Sequence, residues 1–308
     1  MISPMILQAQ ISPPAGGGSF GLADTSRLEN PYREPMWIDE IRFRLPAAEA
    51  GGTQASAWSS LRCELKLGET PLTKGFVPIG LFGKALNDSI EGASGGPPMF
   101  TWKLPKPLYV PARELLRPTI YYDSFTSAPA KTVNIIYCCR PVLKGTPPPR
   151  VLQIPWVTHF QPAFLALTGA AAANDQTDQS TPADLYNPWD QELHVQRFVG
   201  RLMGRNTSGE AHTSMSIASA NINLTTGILT SGTLVSAQDS FNNILIRDRT
   251  PFAHVFDFLD RAWTVNCVLP PKGFYLFTVD RLWAAYTKTI TATVGISMVG
   301  WREVRVQR

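Results

Sequence analysis

Three spacings in the sequence could do chemistry. Gly92-Ala93-Ser94-Gly95-Gly96 fits the G-x-S-x-G pattern that lifts a serine nucleophile on a strand-to-helix turn. Asp257 and Asp260 stand one helical turn apart, a spacing that suits a general acid and a general base. Asn174, Asp175 and Asp178 gather oxygen ligands of the kind calcium takes. Each lacks its context. Glycines and Pro97-Pro98 surround Ser94, so a flexible loop is the reading. Arg247, Arg249 and Arg261 offer the two aspartates ion-pair partners, which makes them a solvated or paired face. The acidic triplet has neither the glycine nor the closing glutamate of a calcium loop. Gly83-Lys84 lacks the upstream glycine and the following Ser or Thr of a phosphate loop.

His159, His194, His212 and His254 form neither H-x-H nor H-E-x-x-H, so each reads as an isolated structural histidine. Pro155-Trp156 and Pro188-Trp189 could build sugar-binding platforms; core or interface anchors are the preferred reading. Asn206-Thr207-Ser208 and Asn223-Leu224-Thr225 match glycosylation acceptors, which mean nothing in a cytoplasmic or bacterial setting. The expectation is a chain that is not an enzyme and has no catalytic, cofactor-binding or metal-binding residues.

The elements that would have to position any site are short strands. The 308 residues suffice for about two domains. With 26 Pro and 23 Gly and a charged fraction of 17%, turns are frequent and long helices are disfavoured, which points to an all-β protein. A net charge of +4 is too small to argue nucleic-acid binding, and no run of five basic residues occurs; Arg302, Arg305 and Arg308 read as a solvated chain end. Cys63, Cys138, Cys139 and Cys267 form no C-x-x-C pair and read as reduced, which fits folding in a reducing cytoplasm. Residues 1–20 carry no basic n-region of a signal peptide, and no apolar run reaches the length of a membrane span.

One stretch occurs twice. Leu28 to Leu45 (LENPYREPMWIDEIRFRL) returns as Leu185 to Leu202 (LYNPWDQELHVQRFVGRL), with Asn30-Pro31-Tyr32 on Asn187-Pro188-Trp189. Asn-Pro is a turn dipeptide, and the β-branched and aromatic run after it reads as a strand. Ile38, Ile41 and Phe43 do not share one parity, so the strand carries a bulge or is buried on both faces. Two further landmarks follow in the same order. Leu104-Pro105-Lys106-Pro107-Leu108-Tyr109-Val110 is set against Leu269-Pro270-Pro271-Lys272-Gly273-Phe274-Tyr275-Leu276, and Thr132 to Val142 against Thr291 to Trp301. Between the first pair, Leu61, Cys63, Leu65 and Leu67 alternate with Arg62, Glu64 and Lys66 as a half-exposed strand.

The expected organisation is an N-terminal arm, 1–27, with a Gly16-Gly17-Gly18 hinge; a first β unit, 28–145; a linker, 146–183, holding a helix-compatible piece from Pro162 to Leu167; and a second β unit, 184–308. A further helix is expected from an N-cap at Thr250 with Pro251 at its first position and apolar Phe252, Val255, Phe256 and Leu259, with Leu115-Leu116 as a shorter counterpart. Deleting residues 1–20 is expected to spare folding and impair assembly.

A tandem of two all-β units of this size, without a catalytic signature, resembles the double jelly-roll major capsid proteins of tailless icosahedral viruses, including membrane-containing bacteriophages. The resemblance implies two jelly-roll barrels with short helices in loops, a homotrimer of pseudo-hexagonal outline, and neighbouring capsomers as partners in a virion shell assembled in the host cytoplasm. It also implies minor capsid proteins and an internal membrane as partners of the arm, no cofactor, and no specific nucleic-acid binding. The alternatives are an accessory virion protein (decoration, spike or tail component) and a carbohydrate-binding β protein.

Overall fold

The computed structural model of the chain describes residues 5–11, 18–21, 28–31, 33–44, 61–79, 82, 99–122, 132–160, 165–167, 175–179, 183–206, 216–230, 233–241, 246–251, 263–283 and 290–306. The first half supplies β1 (Met5–Ile11), β2 (Gly18–Gly21), β3 (Leu28–Glu29), β4 (Met36–Arg44), β5 (Leu61–Leu67), β6 (Thr70–Pro71), β7 (Val77–Pro78), β8 (Met99–Val110), β9 (Leu115–Tyr122) and β10 (Val133–Pro141). Two sheets result, ordered β1-β10-β4-β8 and β2-β9-β5-β6, with β3 on β9 and β7 on β5. The second half supplies β11 (Val151–Phe160), β12 (Leu165–Leu167), β13 (Asp175–Gln179), β14 (Leu185–Tyr186), β15 (Leu193–Asn206), β16 (Ser216–Thr230), β17 (Thr233–Phe241), β18 (Ile246–Pro251), β19 (Trp263–Leu269), β20 (Gly273–Trp283) and β21 (Ile290–Arg305). Their sheets are ordered β11-β21-β15-β19 and β13-β20-β16-β17, with β14 on β20, β18 on β16 and β12 added to β21.

The two orders are the same order. β1, β2, β3, β4 and β5 map on β11, β13, β14, β15 and β16, while β8, β9 and β10 map on β19, β20 and β21. In each half the first and last strands lie side by side, and successive strands such as β4 and β5 fall in different sheets. That is the winding of a jelly roll, laid down twice.

Two expected segments are strands instead. The arm 1–27 contains β1, which pairs antiparallel with β10 from Met5 opposite Cys139 to Ile11 opposite Val133. Ala9 and Ile11 are buried there. The linker 146–183 contains β11, β12 and β13. The compact units are accordingly Met1–Ala48, Ser60–Val157 and Val299–Arg308 for one, and Glu49–Ser59 and Thr158–Met298 for the other, so the boundaries fall inside β11 and β21. The physical reason is long-range pairing: Leu165 opposite Ala292 and Asp175 opposite Leu282 override a local composition that reads as helix or loop.

The expected helices meet the same override. Leu115-Leu116 lie in β9, Leu165–Leu167 form β12, and Thr250 and Pro251 close β18 opposite Ile217 and Ser216. Among the described residues there is no α-helix. Phe252 to Leu259, Asp257 and Asp260, Gly83-Lys84, the serine loop 92–96, His212 and His254 lie outside the described residues.

The Asn-Pro repeat is a buried corner. Asn187 is fully buried and its Nδ2 donates to the carbonyls of Gln191 (2.9 Å), Leu269 (3.1 Å) and Pro270 (3.0 Å), while its Oδ1 accepts from Trp189 N (3.1 Å). Asn30, equally buried, donates from Nδ2 to Glu34 O (3.0 Å) and Pro111 O (3.1 Å). The backbone follows suit: Asn30 N donates to Glu114 O (3.0 Å) and Asn187 N to Gly273 O (2.8 Å). An asparagine is suited to this because it offers two donors and an acceptor without charge.

The corner also corrects the second landmark. The turn that receives each asparagine is Pro111 to Glu114 in the first half and Pro270 to Gly273 in the second. Glu114 N donates to Pro111 O and Gly273 N to Pro270 O, and Arg113 and Lys272 both hold φ at 61°. Residues 104–110 therefore belong to β8, whose counterpart is β19, and do not match 269–276.

The parity break in β4 is a bulge. Cys138 and Cys139 of β10 face Glu40 and Ile38, so Asp39 is the extra residue in that ladder; against β8 the register also shifts here, from Leu108 opposite Ile38 to Lys103 opposite Glu40, with Leu104 to Pro107 between them on β8. Met36 and Ile38 before Asp39, and Ile41 and Phe43 after it, thereby all turn inward and are fully buried. In β15 the register against β19 also shifts, from Val195 opposite Cys267 to Arg197 opposite Thr264, with the extra residue on β19; Val195 and Phe198 on either side of the shift are buried. The alternation read in β5 holds, with Cys63, Leu65 and Leu67 buried and a Lys66–Glu64 ion pair (3.1 Å) on the outer face.

In the first unit Phe82 stacks on Phe43 and tilts on Trp102, both at 4.9 Å between ring centroids. Each such ring is worth about 1.5–3 kcal/mol on burial. In the second half Phe198 meets Tyr275 edge-on at 5.1 Å, and Tyr275 Oη lies 2.7 Å from Cys267 Sγ.

These cores make the protein sensitive to alkali. Burial pushes Cys63 well up, Cys139 from 9.0 to about 12, and Tyr137 and Tyr275 upward. Groups whose folded values are raised contribute stability that is whole below their unfolded values and is lost as pH climbs towards the folded ones. The melting temperature is therefore expected to fall between about pH 9 and about pH 12, with no pH dependence from these groups near neutrality. A melting temperature unchanged across that window would contradict the packing of these four side chains.

Candidate assembly surface

The outer face of the β1-β10-β4-β8 sheet carries a groove of about 600 Å³, lined by Trp37, Asp39, Glu40, Arg42, Cys138 and Arg140 and closed by the segment from Pro141 to Thr146. The bulge turns Asp39 and Glu40 outward together. Arg140 Nε donates to Asp39 Oδ2 at 2.9 Å and Oδ1 at 3.2 Å, and its guanidinium lies 5.6 Å from the centre of the Trp37 ring. Trp37 in turn meets Tyr109 edge-on at 5.1 Å. Arg42 pairs with Glu40. Two carboxylates and two guanidiniums leave the groove neutral. Exposed pairs of this kind contribute about 0–1 kcal/mol each, so they shape the surface more than they stabilise it.

The Cys138 thiol reaches Glu40 Oε1 at 3.9 Å, and burial raises its pKa although Arg42 pulls the other way. Its neutral form at ordinary pH is a poor nucleophile. Among the described residues no group of three or more His, Cys, Asp or Glu could hold a metal ion. His159 and His194 lie apart, on β11 and β15. Trp156 is buried on β11, and Trp189 is half-buried in the Asn187 corner. Asp175 and Asp178 are on β13, Asn206 ends β15, and Asn223 to Thr225 lie within β16; Asn174 lies outside the described residues.

The sheet edges are guarded. β8 pairs only with β4 among the described residues, and it carries Pro105 and Pro107, which cannot donate to a further strand. β19, its counterpart, is interrupted by Asn266 at φ 46°. Contacts with other chains would then fall to faces and loops. Large apolar side chains are exposed at Ile6 (66%), Leu143 (64%), Val268 (49%), Val306 (45%) and Val151 (39%).

No family model and no curated protein sequence matches the chain. Solved structures do. The STIV MCP is 11% identical, covering 98% of this chain and 97% of its own, at a TM-score of 0.43. The PBCV-1 virus capsid is 11% identical, covering 100% and 95%, at 0.40. The major capsid protein P2 from bacteriophage PM2 is 9% identical, covering 97% and 98%, at 0.34.

The sequence reading missed the groove. Its signal was present in the parity break at Asp39, since a bulge exposes two consecutive residues. The Arg140–Asp39 pairing was not legible, because the pairing of β10 with β4 joins residues 101 apart.

Proposed function

We propose that the chain is a structural virion protein, the major capsid protein of a tailless icosahedral virus. The observation that carries the reading is the repeated strand order: two jelly rolls in one chain, each with the same asparagine corner and a register shift in the strand that follows it. Three such chains present six similar modules, and a pseudo-hexagonal homotrimer tiles a closed shell through unequal contacts. The proline-guarded edge of β8 supports the reading, because a chain present at high local concentration must not add strands at random. The partners are the other chains of the trimer, neighbouring capsomers and minor capsid proteins. The role is architectural, without enzymatic activity, cofactor or specific nucleic-acid recognition.

Sedimentation of the purified chain tests this. The expected species has three times the mass of the 33.9 kDa chain. A monomer that persists at high concentration would overturn the proposal. Copy number in purified particles separates shell from accessory protein, since a shell protein is present in hundreds of copies and a spike in few.

A further inference from the structure

We propose that the free edge of β1 is a strand-pairing site for β1 of a second copy of the chain. The inference rests on the shell reading and names the element through which two capsomers join. β1 ends its sheet and, among the described residues, pairs with β10 alone. It is the exception to the guarded edges. Of the other strands that end a sheet, β8 carries Pro105 and Pro107, and β11 carries Pro155. β13 carries Asp175 and Asp178, β17 carries Asp239, and β19 is broken at Asn266. β2 and β6 are four residues long or less. β1 (MILQAQI) has no proline, no glycine and no charged residue. Such an edge presents a row of backbone donors and acceptors that another strand can satisfy.

The sequence of β1 suits a copy of itself. Ala9 and Ile11 are buried, so the odd-numbered side chains face inward; Ile6, Gln8 and Gln10 are exposed on the outer face. Two β1 strands set antiparallel with Gln8 opposite Gln8 overlap along all seven residues. That register sets Met5 against Ile11 and Leu7 against Ala9 on the inner face, and Ile6 against Gln10 on the outer. Odd positions meet odd positions, so both cores stay on one side of a continuous sheet. With no charge in the strand, no like charges oppose each other across it; a copy of β13 would meet its own aspartates. The pairing also covers what β10 leaves open, since Met5 and Leu7 are only half-buried and Ile6 is 66% exposed. A contact of this kind is two-fold and closes on itself, so it joins capsomers in pairs and does not run on into a fibre.

Cross-linking of the full chain tests the register. Gln8 is exposed, with its Nε2 donating to Asn134 Oδ1 at 2.8 Å, so it can be replaced without disturbing the core. Cys138, opposite Ile6 on β10, is replaced by Ser in every sample to remove a competing thiol. Gln8→Cys is then expected to form a disulfide between copies, because opposed Cα atoms lie about 4.5–5.5 Å apart. Gln10→Cys is expected to form none, its equivalent lying four residues away, about 14 Å along the strands. Gln8→Lys and Gln8→Glu should each weaken association about fivefold by opposing like charges, and an equimolar mixture of the two should restore it. Disulfides at both positions, at neither, or undiminished association of Gln8→Lys would each overturn the proposal. Sedimentation separates it from the shell reading. Trimers that associate no further overturn the strand pairing and leave the shell reading standing; dimers without trimers do the reverse.

Discussion

Asn187→Asp is expected to lower the unfolding free energy by about 4 kcal/mol, with Asn30→Asp close behind. The substitution changes no volume, so the effect isolates the hydrogen bonds. The buried Asn187 amide donates to three carbonyls, those of Gln191, Leu269 and Pro270. A carboxylate there removes every donor and sets buried negative oxygen against carbonyl oxygen. Each unsatisfied buried group costs about 1–3 kcal/mol. Denaturant unfolding gives the difference directly. Losses within about 0.5 kcal/mol, the range of ordinary surface substitutions, would mean that the repeated corner is incidental to the fold.

The second large effect is removal of residues 1–11, which is expected to abolish stable folding. The sequence alone suggested an arm whose loss spares folding and impairs assembly. The structure makes β1 a full member of its sheet, with seven residues in register against β10. Loss of a buried isoleucine costs about 2–5 kcal/mol, and Ile11 is 2% exposed. The deletion also leaves the β10 edge unpaired from Val133 to Cys139, an invitation to aggregation. The sum approaches the 5–15 kcal/mol that holds a typical domain together. Soluble yield and a thermal melt decide it: a soluble product that melts like the full chain would show β1 to be an arm after all.

What the sequence could tell, and what it could not, divides along a physical line. Asn30-Pro31 and Asn187-Pro188 were visible as a repeat because the corner demands one residue type at one place. The bulge at Asp39 was visible because it shifts the parity of Ile38 and Ile41. The facing turns were misaligned because Arg113 and Lys272 hold positive φ without being glycine, so backbone geometry left no mark in the composition. β11 to β13 were hidden by Pro162, an alanine run and polar residues, and become strands only through partners more than a hundred residues away. Thr250 and Pro251 carried a sound helix-start pattern, yet pairing with Ile217 and Ser216 decides their conformation.

The central claim is that one sandwich, built twice in a single chain, serves as a brick. A low-resolution image of the purified oligomer tests it most directly. The account predicts a six-lobed outline from three chains; a particle with three lobes, or a lone monomer, contradicts it.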